Sequence, residues 1–106
     1  MTFCIDIDGT ICETSHGEYN SSKPIKKMID MFNKLYDRGH TIIYFTARGA
    51  TTGIDWYAFT KTQLVEWGVK FHEIQVGKPY ADYYIDDRAV NPHFMKDILK
   101  RIVDNA

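Results

Sequence analysis

The sequence predicts an α/β fold in a single domain, with a mostly parallel sheet and helices packed on its faces. Three observations lead there. Short β-branched or aromatic runs alternate along the chain with stretches whose apolar residues recur at helical spacing. Each run stops at polar residues or a glycine instead of a two-residue hairpin turn. The 106 residues suffice for one core and leave no room for a second domain.

The elements follow in order. Residues 3–7, Phe-Cys-Ile-Asp-Ile, read as a short, largely buried strand followed by a loop. Residues 11–23 are polar and rich in Ser, Gly and Asn, long enough to fold over a site but too short for a domain. Lys23-Pro24 opens a helix, with proline near the first helical position and Ser21 or Ser22 as the cap. Ile25, Met28, Ile29, Phe32, Leu35 and Tyr36 share one face of it, and Gly39 closes it after Arg38. His40 to Phe45 form the second strand, stopping at Thr46-Ala47-Arg48-Gly49. A loop holding Gly49 and Gly53 leads to a helix from about Asp55 to Trp67, ended by Gly68. Residues 71–76 read as a third strand ending at Gly77-Lys78-Pro79, and residues 82–85 as a fourth ending at Asp86-Asp87-Arg88. Asn91-Pro92 begins a last helix whose Met95, Ile98, Leu99 and Ile102 form one apolar face. Right-handed crossovers between parallel strands align their carboxyl ends along one edge, where ligands bind in such sheets.

Composition narrows the partners. A 44% apolar, 25% charged chain with a net charge of −1 is an ordinary globular protein without the basic footprint that nucleic acid or an anionic membrane requires. No apolar stretch approaches the length of a membrane span, and the amino terminus lacks a basic segment followed by an apolar one, so a cytoplasmic protein is expected. Cys4 and Cys12 are accordingly expected as free, buried or partly buried thiols.

The chemistry concentrates where strands end. In Asp6-Ile7-Asp8-Gly9-Thr10 two carboxylates two positions apart project the same way from a strand, and Gly9 lets the backbone turn just beyond them. Like charges this close call for a cation or a positive environment between them, which suits a metal-assisted site where one carboxylate attacks and the other moves a proton. Thr46 and Arg48 follow the second strand, Lys78 the third, and Asp86 and Asp87 the fourth. That inventory suits phosphoryl transfer. The acids can hold one Mg²⁺ with water and phosphate oxygens completing its octahedron, while a lysine and a hydroxyl bind the remaining phosphate oxygens. Arg48 is close enough to reach a substrate, and its fork suits phosphate or carboxylate.

Taken together, these residues resemble the haloacid dehalogenase superfamily, specifically its Mg²⁺-dependent phosphatases. The family's Asp-x-Asp-Gly-Thr box matches residues 6–10, its strand-ending Thr or Ser matches Thr46, its lysine matches Lys78, and its acidic pair matches Asp86-Asp87. The resemblance spans roughly residues 3–90. It implies a three-layer Rossmann-like fold without a cap domain, because the insertions at 11–23 and 49–55 are small. It also implies that Asp6 is the nucleophile forming an aspartyl-phosphate and Asp8 the acid and base. Thr46 and Lys78 would bind the phosphoryl group, and Mg²⁺ would be held by Asp6, the Asp8 carbonyl, Asp87 and Asp86. The chain also looks like compact bacterial members tied to capsule or surface-polysaccharide synthesis, which implies a small sugar or polyol phosphate. Capless relatives act on macromolecules such as nucleic-acid ends, or complete a small-molecule pocket by homo-oligomerising.

Rival readings weaken on order and spacing. A signalling receiver that accepts phosphate on Asp would pair its acids on the first strand and place the acceptor later, whereas here the Asp-x-Asp box comes first and the acid pair last. A calcium loop of the EF-hand type needs glycine at its sixth position, and Gly9 stands at the fourth counted from Asp6. Trp56, Tyr57 and Phe59 fit a helix core as well as a pocket, and His40, His72 and His93 lack metal-ligand spacing. His16 lies in the loop that can fold over the site.

Overall fold

β-Branched and aromatic runs pair readily into a sheet with an apolar face, and three such runs do so here. A computed structural model describes residues 1–15, 17–94 and 102. Its sheet contains β1 (Thr2–Asp6), β4 (Thr41–Thr46) and β5 (Glu73–Val76) in the order β1-β4-β5, all parallel. Between them lie α1 (Lys26–Asp37) and α2 (Tyr57–Glu66). The register sets Ile5 beside Tyr44 and Tyr44 beside Ile74, so these side chains point the same way. Ile42 joins them, and the core forms where they meet Ile29, Phe32 and Leu35 of α1 and Leu64 of α2.

α1 and α2 both contribute to the core packed against this sheet, and the helix expected after Asn91-Pro92 lies mostly outside the described residues. Among the described residues the opposite face carries exposed Cys4, Glu73 and Gln75, with Ile43 and Phe45 half-buried. Cys4 is therefore an exposed free thiol, contrary to expectation, while Cys12 is buried. Of the last expected helix, Asn91 accepts from the His93 amide at 2.9 Å and Ile102 packs against the core, but Met95, Ile98 and Leu99 lie outside the described residues, as does His16.

Three further elements differ from the sequence reading. Residues 11–23 are not a plain loop. β2 (Cys12–Glu13) pairs antiparallel with β3 (Lys23–Pro24), and a short 3-10 turn, Tyr19–Ser21, lies between them. Pro24 thus sits in a two-residue edge strand, where its missing N–H costs nothing, and α1 starts after Ile25 with neither Ser21 nor Ser22 capping it. Finally, residues 82–85 form no strand. Tyr83 and Ile85 are 85% and 96% exposed, and an extended run without a partner's backbone groups has no ladder to hold it.

Two side chains fasten the helices to the strands. The Asn33 amide of α1 donates to the Gly68 carbonyl while its carbonyl accepts from the Lys70 amide, each at 2.9 Å, which ties α1 to the turn after α2. His72 replaces a ladder bond just before β5, its Nδ1 accepting from the Ile42 amide at 3.0 Å. Among the described residues no helix is long and apolar enough to cross a membrane.

Candidate active site

The parallel strands deliver β1, β4 and β5 to one edge, and the residues after each strand build the site. Beyond β1 the chain turns on Gly9, whose φ of +84° only glycine adopts freely. The Thr10 and Ile11 amides both donate to the Ile7 carbonyl, at 3.1 and 3.0 Å, and the Gly9 amide donates to the Cys12 carbonyl at 2.9 Å. These bonds hold Asp6 and Asp8 at the strand end. After β4, the Thr46 hydroxyl oxygen accepts from the Arg48 amide at 3.0 Å, and its carbonyl accepts from the amides of Gly77 at 3.3 Å and Lys78 at 3.2 Å. Thr46 therefore organises both loops that face Asp6, and its hydroxyl proton is left to donate.

Lys78 reaches Asp6 with Nζ 3.2 Å from Oδ1, and its ammonium lies over the rings of Tyr84, 4.0 Å from the centroid, and Phe45, 4.5 Å away. Aromatic faces on two sides hold the cation while leaving it aimed at the carboxylate. Asp6, Asp8 and Lys78 line one cavity of about 270 Å³ whose mouth carries Tyr19, Tyr80 and Tyr84. A larger cavity of about 500 Å³ adjoins it between the 48–56 loop and Gly77–Pro79. The smaller one holds the reactive groups, and the larger one offers room beside Thr46 and Lys78.

Asp8 is held differently from Asp6. Arg48 Nε donates to Asp8 Oδ2 at 2.9 Å and Nη2 to Oδ1 at 2.8 Å, a two-point fork, and the Thr14 hydroxyl donates to Oδ1 at 2.6 Å. The Arg48 side chain has no exposed surface, whereas that of Asp8 is 27% exposed. Arg48, expected to reach a substrate, lines both cavities but makes its bonds to Asp8 from a buried position. Sequence reasoning also missed Thr14, Tyr19, Thr60 and Gln63, which support this pair. One signal was available: Thr60 and Gln63, three apart, lie on the buried side of α2 beside Leu64, and polar groups there imply a polar partner in the interior.

The two acids have opposite electrostatics. Burial raises the Asp6 carboxyl above its ordinary 3.8; the charge and hydrogen bond of Lys78 oppose this, and the Asp8 charge adds to it. Burial also pushes Asp8 upward, but hydrogen bonds from Arg48 and Thr14, with the Arg48 charge, outweigh it and hold that carboxyl below 3.8. Asp8 thus rests as a carboxylate. Cys12, wedged against Asp8, has its thiol pushed up to about 11, chiefly by burial, and is no nucleophile at neutral pH.

The structure does not bring Asp86 and Asp87 to this place. They stand on an exposed turn, where Asp86 Oδ1 accepts from the Arg88 amide at 2.7 Å. Among the described residues no group of three or more His, Cys, Asp or Glu forms a metal-holding cluster. Of the expected Mg²⁺ ligands, the Asp6 carboxylate lines the cavity, whereas the Asp8 carboxylate is engaged by Arg48 and Thr14. A single carboxylate with water and phosphate oxygens can still suit Mg²⁺.

The chain is similar in fold to a known protein. Over 98% of its length it matches 97% of a crystal structure of a target protein from Vibrio cholerae, with 25% identity and a TM-score of 0.82. No family model matches the chain, and no curated protein matches it.

The loop after Arg48 is closed tightly. Gly49 has φ of +85°, and a Cβ built there would lie 2.0 Å from the Ile54 carbonyl oxygen. Gly49→Ala is therefore expected to cost at least about 1–3 kcal/mol, read as a lower melting temperature. An unchanged melting curve would mean that the loop closes otherwise.

Proposed function

We propose that this chain is a phosphomonoester hydrolase of the haloacid dehalogenase type, acting through an aspartyl-phosphate on Asp6. The observation that carries this reading is the Lys78–Asp6 pair at 3.2 Å, in one cavity with Asp8, with Thr46 lining the adjoining cavity that Lys78 also lines. A carboxylate attacks a phosphate dianion only if a fixed cation offsets the repulsion, and Lys78 is so placed. In the first step an Asp6 oxygen forms a bond to phosphorus as the ester P–O bond breaks, and the leaving alkoxide takes its proton from Asp8, which enters the step protonated. In the second, water attacks the phosphorus of the acyl phosphate, Asp8 accepts the water's proton, and inorganic phosphate departs with Asp6 regenerated.

Thr46 donates to a phosphoryl oxygen, and Lys78 neutralises charge on the phosphoryl group. Mg²⁺, held by the Asp6 carboxylate and the Asp8 carbonyl, supplies further charge neutralisation when bound. The substrate class put first is a small sugar or polyol phosphate. The test is phosphate release from sugar, polyol, nucleotide and nucleic-acid-end phosphates with Mg²⁺ and with excess chelator. Turnover of small phosphates that stops with chelator is expected. No turnover on any member, with Asp6 nonetheless labelled by acetyl phosphate, would replace the enzyme with a phosphate-accepting regulatory module. Preferred turnover of nucleic-acid ends would replace the substrate class.

A further inference from the structure

We infer that Arg48 is a positioning residue for Asp8, with its guanidinium braced from α2 and from the 3-10 turn so that one carboxylate rotamer is held at the reacting phosphoryl group. This deepens the phosphatase reading and rests on it. The juxtaposition draws on four separate parts of the chain. Arg48 follows β4, Asp8 follows β1, Thr60 and Gln63 belong to α2, and Tyr19 opens the 3-10 turn. Nε and Nη2 take the two oxygens of Asp8, as described above, while Nη1 donates to Gln63 Oε1 at 2.8 Å and to Thr60 Oγ1 at 3.2 Å. The Tyr19 ring covers the guanidinium, its centroid 4.6 Å from the central carbon, and the Gln63 amide donates to the Tyr19 carbonyl at 2.7 Å.

Each guanidinium nitrogen thus has a protein acceptor, and an aromatic face closes over the plane. Four of its five N–H donors are thus taken within the protein. The guanidinium is a rigid fork, and two parallel bonds to the two oxygens of one carboxylate fix both the position and the plane of that carboxylate. Asp8 lines the cavity that also holds Asp6 and Lys78, and its side chain keeps 27% of its surface while that of Arg48 keeps none, so the brace ends at a group facing that cavity. Misplacement of a reacting group by about 1 Å costs on the order of 100-fold in rate. Lysine would keep the charge but not the fork.

A double-mutant cycle on hydrolysis of p-nitrophenyl phosphate tests this, with Arg48→Lys and Asp8→Ala measured alone and together. Arg48→Lys is expected to lower kcat by about 30-fold or more with KM within about 3-fold, and to lower it by less than about 3-fold when Asp8 is already alanine. The same loss in both backgrounds would show a merely structural arginine, and a raised KM with kcat retained would show a substrate ligand; either overturns the inference while leaving the phosphatase reading intact. Should Arg48→Lys not fold, Gln63→Met takes its place in the cycle, with a smaller loss of about 10-fold and the same dependence on Asp8. The Arg48 Nε–H resonance gives a readout apart from activity. It is expected to be shielded from solvent exchange in the native protein and exposed in Asp8→Ala, and a freely exchanging native signal would overturn the pairing. Absence of native turnover would instead sink the phosphatase reading, and this inference with it.

Discussion

Asp6→Asn is expected to leave a folded protein whose phosphate release falls by ~10⁴-fold or more, because the amide keeps the volume of the carboxylate but cannot form the acyl phosphate. The fold should tolerate the change. The Asp6 carboxyl is raised by burial, against the pull of Lys78. A raised folded value means that the stability linked to this group is present below its unfolded value and lost as pH rises through the folded one. At neutral pH the ionised Asp6 is therefore a burden on the fold, accepted for the sake of a poised nucleophile, and its neutral isostere should melt no lower than the native protein. Phosphate release beside a melting curve checks both halves. Native-like turnover from folded Asp6→Asn would remove the nucleophile from the reading.

Arg48→Met should produce the largest loss of stability. It leaves the mostly buried Asp8 carboxylate without its fork and strands Thr60 and Gln63, and breaking a buried pair by removing one partner costs about 3–5 kcal/mol. Because Asp8 keeps 27% of its side-chain surface, the lower end is expected. The loss has a pH signature. Asp8 is depressed below 3.8, so the stability its pairing contributes is present above that value and fades as pH falls through the lower folded one. Urea unfolding should therefore separate the two proteins most at neutral pH, with the gap narrowing below 3.8. A gap that does not depend on pH would mean that Arg48 stabilises by packing alone.

Much of the fold was legible because it is local. β1, β4, β5, α1 and α2 stand within a few residues of the runs and periodicities that predict them, and Asp6, Asp8 and Lys78 line one cavity while Thr46 and Lys78 line the one adjoining it. What was not legible depends on partners far along the chain. Two-residue strands such as Cys12–Glu13 and Lys23–Pro24 carry no periodicity, and proline suits an edge strand as readily as a helix start. The Tyr83 and Ile85 alternation reads as a strand, yet only a neighbouring ladder can make it one. The pairing of Arg48 with Asp8 was not legible for a similar reason. The arginine's fork fits phosphate and carboxylate equally, and only the buried acceptors on α2 decide between them.

The separation of the paired charges along the chain orders the making of the site. Asp8 and Arg48 are 40 residues apart and can meet once β4 has docked on β1, whereas Asp6 and Lys78 are 72 apart and cannot meet until β5 is in place. Synthesis runs from the amino end, so the carboxylates and their arginine are assembled while the lysine is still to come. A chain in which β4 has docked on β1 but β5 has not can therefore hold the Asp8–Arg48 pair while it still lacks the Asp6–Lys78 pair.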